Sequence, residues 1–71
     1  MLIDKVRRHE EYALWRKRNR VRLVDIAQFV KCSYSLLSLW ENGKANIDTE
    51  KLQRYNEFIR LFEERKIFIH N

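Results

Sequence analysis

With 71 residues, 45% hydrophobic and 13% aromatic, the chain is one small domain able to bury a core, near the size at which a core is marginal without a partner. Fifteen Lys and Arg against ten Asp and Glu leave a formal charge of +5, which favours an anionic partner without naming one. One cysteine excludes an internal disulfide, no ligand spacing suits a metal ion, and neither a signal peptide nor an apolar spanning run is found, so a reducing cytoplasm is expected.

Residues 2–19 hold no proline or glycine and read as a helix. Its apolar positions disagree, because Leu2, Ile3, Val6, Ala13 and Leu14 share one side while Tyr12 and Trp15 face elsewhere. A bent or two-sided helix is expected. His9 reads as a solvated residue of that helix. Arg16-Lys17-Arg18-Asn19-Arg20-Val21-Arg22 follows as the densest basic run, a pattern that is most often a solvated face. Asp25 to Val30 is a compact helical pattern, with Ile26, Phe29 and Val30 inward and small Ala27 between them. Lys31-Cys32-Ser33 then leads straight into a second short helix, Tyr34 to Asn42. Ser33 is a good N-cap, since its hydroxyl can accept from a free amide of the first turn, and Cys32 and Leu37 stand at staple positions. Gly43, the only glycine, lies where a left-handed residue would close the helix. Leu37 and Trp40 share its inner face, leaving Tyr34, Ser35, Ser38 and Leu39 outward.

Beyond the glycine, Ile47 and Leu52 bracket Asp48 at staple spacing, and Asp48 is a fair N-cap for a helix from Thr49. Leu52, Tyr55, Phe58, Ile59 and Phe62 recur down one face of that helix, which is expected to run to about Lys66. Ile67-Phe68-Ile69 is β-branched and aromatic and reads as a short terminal strand. Leu61 lies off the main stripe, so with Ile67, Phe68 and Ile69 it forms a candidate homodimer interface. The alternative is a tail folded back on its own first helix.

A helix, a three-residue turn and a second short helix make the helix-turn-helix unit. Val21, Ile26, Ala27, Val30, Cys32, Ser33, Leu37, Trp40 and the run Glu41-Asn42-Gly43-Lys44 resemble the phage Cro/C1-repressor (Xre-like) DNA-binding domains, over roughly residues 12–62. The resemblance implies an all-α fold of four to five helices, a single domain over 1–71, with the helix-turn-helix at about 23–42. An extended first helix, a long last helix and the short C-terminal strand, within a dimerisation segment over 67–70, would be its additions. It implies Tyr12 and Trp15 as core positions of the first helix, and an ion pair between Arg16 and Glu41. Two departures stand out. Arg22 occupies a place where members often have a Ser or Thr cap. Lys31 stands where many have glycine, and a left-handed lysine costs about 1 kcal/mol over glycine.

What the resemblance implies for function is binding to double-stranded DNA. Tyr34 and Ser35 match the first base-reading residues, with Ser38 and Leu39 one turn further on. Ser33 matches a phosphate-contacting cap, Asn42, Lys44 and Asn46 match a loop that grips the backbone, and Arg20 and Arg22 lie at the junction that approaches phosphates. No bidentate Arg, Asn or Gln stands on the reading face, so specificity is expected to be modest, water-mediated or shape-based. An enzyme is hard to build here. His9 and His70 lie near opposite termini, Cys32 reads as a small core residue, and there is no glycine-rich loop or convergent acid pair. The expectation is a cofactor-free, nucleoid-associated regulator of phage or bacterial type, a repressor binding its operator as a dimer in the cytoplasm, with no membrane partner. A competing reading takes Tyr34, Leu36 and Leu39 as an apolar interface of a protein-binding module, such as a small antirepressor or antitoxin.

Overall fold

The computed structural model of the chain describes residues 8–65, which form four helices and no strand: α1 (Arg8–Arg18), α2 (Leu23–Val30), α3 (Tyr34–Glu41) and α4 (Thr49–Glu63). The expectations for Leu2, Ile3 and Val6, and for the strand at 67–69, fall outside the described residues.

Glu10 and Glu11 open α1, and Arg16, Lys17 and Arg18 close it, an order that suits the helix dipole. It ends where Asn19 turns its side chain back, Nδ2 donating to the Trp15 carbonyl at 2.8 Å, and Arg20 adopts φ 58°. Of the two competing faces, the aromatic one points inward. Tyr12 and Trp15 pack on the core, whereas Leu14 is 59% exposed.

The second helix begins two residues earlier than the compact pattern from Asp25, because Leu23 is also buried. Arg22 stands at its N-cap without a side-chain bond to the backbone. Its guanidinium instead pairs with Asp25 across the first turn, Nε to Oδ2 at 3.0 Å. Lys31 closes α2 in the left-handed region, φ 64° and ψ 52°, and its amide donates to the Ala27 carbonyl. The Cys32 amide donates to the same oxygen at 3.0 Å. Chain reversal therefore takes three residues, at the steric cost a side chain carries in that region.

In α3 the Ser33 hydroxyl accepts from the Leu36 amide at 3.0 Å, while Leu37, Trp40 and Glu41 turn inward. The helix stops one residue short of Asn42, which sits at φ −92° and ψ 7° as its C-cap. Gly43 then takes φ +76° and donates to the Trp40 carbonyl. Asp48 caps α4, accepting from the Lys51 amide at 2.9 Å and from Lys51 Nζ at 3.2 Å. Those bonds hold its carboxyl below the ordinary carboxylate range. The last helix is unbroken but ends at Glu63, not Lys66, because Arg65 enters the left-handed region at φ 62°.

α2 packs against α4 and α3, and α1 packs against α3. Ile26, Val30, Leu37 and Tyr55 are fully buried, with Val21, Leu23, Ala27, Trp40 and Phe58 close to it. The aromatic residues join α1 to α4 edge-on. Tyr12 meets Tyr55 with centroids 4.8 Å apart, and Trp15 meets Phe62 at 5.3 Å. Trp15 Nε1 also donates to Glu63 at 3.0 Å. Cys32 is half-buried against this core, and burial pushes its thiol pKa up, which suits a packing residue better than a nucleophile. Among the described residues, no helix is long and apolar enough to cross a membrane.

Candidate nucleic-acid interface

The inner side of α3 is fixed by a polar cluster inside an apolar core. Arg16 Nη2 donates to Glu41 Oε1 at 2.9 Å, and Arg16 Nε to Oε2 at 3.0 Å, a two-armed contact. The side chains are 15% and 4% exposed. Tyr55 donates its hydroxyl proton to Glu41 Oε2 at 2.6 Å, and Arg16 Nη1 reaches the Val21 carbonyl at 3.2 Å. Every buried side-chain nitrogen and oxygen among the described residues has a partner. Burial opposes the charge on Arg16, but the Glu41 hydrogen bonds and charge outweigh it, so its pKa lies above the ordinary value. For Tyr55, burial first and then the Glu41 carboxylate push the phenol far above its ordinary pKa. The cluster thus ties α1, α3 and α4 together through one carboxylate.

His9 adds a contact that the sequence reading as a solvated residue missed. It is half-buried, its Nδ1 donates to the Glu41 carbonyl at 3.2 Å, and its ring lies edge-on to Trp40. A Cβ on Gly43 would stand 2.9 Å from His9 Cε1, so the turn needs glycine for space as well as for its positive φ. Tyr55 offered a sequence signal, a hydroxyl in the middle of an apolar stripe that must find an acceptor. His9 offered none, since its partners lie over thirty residues away.

The outer side of α3 is open. Tyr34 is 56% exposed and Leu39 46%, Ser35 is exposed and Ser38 half-buried. Tyr34 and Ser38 line an open groove of about 720 Å³ shared with Leu14, Lys17, Arg22 and Val24. Ser35 and Leu39, one turn apart, are not among the groove's lining residues.

Around this face the expected phosphate contacts are unequal. Arg20, Ser33, Lys44 and Asn46 are exposed. Ser33 spends a lone pair on the cap and keeps its hydroxyl proton to donate. Arg22 is committed to Asp25, which raises its pKa through the hydrogen bond and the charge of that carboxylate. Asn42 sends both its amide N–H and its Nδ2 to the Ser38 carbonyl, at 3.2 and 2.8 Å. The Lys44 amide is likewise spent on the Leu39 carbonyl at 2.8 Å. In this arrangement Asn42 reinforces the end of α3, and the Lys44 side chain, not its amide, faces outward. Leu61 is half-buried on α4, while Ile67, Phe68 and Ile69 lie outside the described residues.

No group of His, Cys, Asp and Glu among the described residues could hold a metal ion. No protein-family model, curated protein or solved structure matches the chain.

Proposed function

We propose that the chain is a DNA-binding transcriptional regulator of the Cro/C1 type, in which α2, the Lys31 turn and α3 form the helix-turn-helix. α3 enters the major groove with Tyr34, Ser35, Ser38 and Leu39 toward the bases. Arg20, Ser33, Lys44 and Asn46 meet phosphates, joined by Arg22 where Asp25 yields it. The observation that carries this reading is the two-sidedness of α3. Its inner side is pinned by Leu37, Trp40 and the Arg16–Glu41–Tyr55 cluster, while its outer side is open and flanked by basic residues.

Dimerisation through Leu61 and Ile67–Ile69 belongs to the proposal. It would set two α3 helices on half-sites about one turn, roughly 34 Å, apart, and occupancy of that operator would exclude polymerase. Sedimentation of the full chain at tens of micromolar against one ending at Lys66 tests that part, and a full-length monomer refutes it.

Fluorescence anisotropy with labelled duplexes at rising salt tests the function. DNA binding weakens steeply with salt, by about 0.9 in log–log slope per phosphate neutralised. A flat response, or no binding at low salt, removes the proposal. One observation favours a protein partner instead: Leu14, Val24 and Tyr34 are exposed apolar residues along the same groove. Capture of a protein by the chain, insensitive to DNA and abolished by Leu14→Ser, would favour that module.

A further inference from the structure

We infer that the outer face of α3 selects DNA through thymine methyl groups, with Leu39 as the residue that reads them. The inference rests on the DNA-binding reading and names what that site discriminates. Its ground is the chemistry left exposed. Across the outer arc of α3 stand Tyr34 and Leu39, 56% and 46% exposed, with the hydroxyls of Ser35 and Ser38 between them. Asn42, directly after this helix, turns its side-chain amide back on the Ser38 carbonyl through its Nδ2. The face therefore offers no side chain able to make two parallel bonds to a purine edge, the contact by which adenine and guanine are usually told apart. Single hydroxyls accept or donate at almost any base edge and discriminate poorly.

What the face does offer is hydrocarbon, and in the major groove the hydrocarbon on a base edge is the C5-methyl of thymine. Leu39 is suited to meet it. It lies one turn beyond Ser35, about 6 Å along the helix axis, so a hydroxyl contact at Ser35 leaves Leu39 over a different base. Its main chain is fixed, since its carbonyl accepts from the Lys44 amide at 2.8 Å and its neighbour Trp40 is buried. A side chain this exposed gains from covering a methyl group, and covering it removes apolar area from water on both partners.

The experiment starts from duplexes selected out of a random pool at low salt and replaces thymines one at a time by deoxyuridine, which deletes only the methyl. One or two positions per half-site should bind about fourfold more weakly. That is the loss of one buried methyl, ~0.8 kcal/mol at 1.4 kcal/mol per tenfold. In Leu39→Ala, with its helical circular dichroism unchanged, the same positions should show thymine and deoxyuridine bound alike. Selected duplexes that tolerate deoxyuridine everywhere overturn the inference while leaving DNA binding intact. So does a Leu39→Ala chain that keeps the full thymine preference. A pool from which nothing is selected, even at low salt, overturns both.

Discussion

Replacing Glu41 by alanine strikes the point at which three helices share one carboxylate. Four contacts within hydrogen-bond distance end on it, three from the Arg16 guanidinium and one from the Tyr55 hydroxyl. Arg16 would keep the Val21 carbonyl at 3.2 Å, and Tyr55 would keep the Tyr12 carbonyl at 3.5 Å. Stranding a buried charge costs about 3–5 kcal/mol, and Arg16 belongs at the low end because its side chain is 15% exposed. The phenol's loss of its short hydrogen bond adds about 1 kcal/mol. A domain this size, at 0.05–0.15 kcal/mol per residue, has a whole stability of about 3.5–11 kcal/mol, so a loss of about 4 kcal/mol removes a third of it or more. Glu41→Ala should therefore unfold at a much lower urea concentration than the parent chain. Glu41→Gln should lose less, because a neutral carbonyl still accepts from Tyr55. Urea titration followed by Trp fluorescence measures both, since Trp40 adjoins the cluster. The double variant Arg16→Met/Glu41→Ala should recover part of the loss, because no charge is left stranded. Small additive losses below about 1 kcal/mol would mean two solvated charges and would refute the reasoning.

Three further outcomes follow from single residues. Lys31→Gly should raise stability by about 0.5–1 kcal/mol, relief of the left-handed strain exceeding the added freedom of the unfolded chain, whereas Gly43→Ala should lower it by about 1–2 kcal/mol, through both its φ and the His9 ring; denaturant midpoints of the pair test the contrast. Tyr55 has a raised folded pKa, so its contribution is intact below the unfolded value near 10 and is lost as pH rises above it; stability should fall by about 1.4 kcal/mol per pH unit there, a slope absent in Tyr55→Phe when urea midpoints are compared at pH 9, 10 and 11. On DNA, Lys44→Ala should weaken selected and random duplexes alike and flatten the salt slope by about one, while Tyr34→Ala should narrow the gap between them, both read by anisotropy.

The helix ends that were legible in the sequence are those set by a residue's own chemistry. Ser33 and Asp48 cap because a short oxygen-bearing side chain reaches an amide three residues on, and Gly43 turns because it lacks a Cβ. The ends that were misjudged are set by arginine and asparagine in roles no local rule assigns. Arg65 closes α4 from a left-handed conformation that arginine does not prefer, and Asn42 leaves α3 to cap it. The inner face of α1 was ambiguous for a similar reason. Leu14 and Trp15 both have the hydrophobicity to be inside, and only the rings of Phe58 and Phe62 on α4 decide for Trp15. Arg16 and Glu41 came from a resemblance, since 25 residues separate them and no spacing rule reaches so far. On the outer face, residue identities show which chemistry is available, but whether a donor is already spent, as at Asn42 and Arg22, depends on the folded contacts.

The two sides of α3 answer to different constraints, and this has a consequence for how such a face can change. Its C-terminal half is held by ionic and hydrogen-bonded contacts at Glu41 and by His9 on the Glu41 carbonyl. Its N-terminal half is held by apolar packing of Leu37 and by the Ser33 cap. Neither device uses the side chains of Tyr34, Ser35 or Leu39. Substitution at an exposed helix position usually shifts stability by less than about 0.5 kcal/mol, whereas loss of the Leu37 side chain would cost about 3 kcal/mol. The proposed reading surface can therefore be rewritten almost without cost to the fold, while the surface that holds it in place cannot. Ser38 is the exception on the outer arc, half-buried where Tyr34, Ser35 and Leu39 are exposed, so a larger side chain there must displace its neighbours. A search for altered specificity of the proposed reading face does better to vary positions 34, 35 and 39.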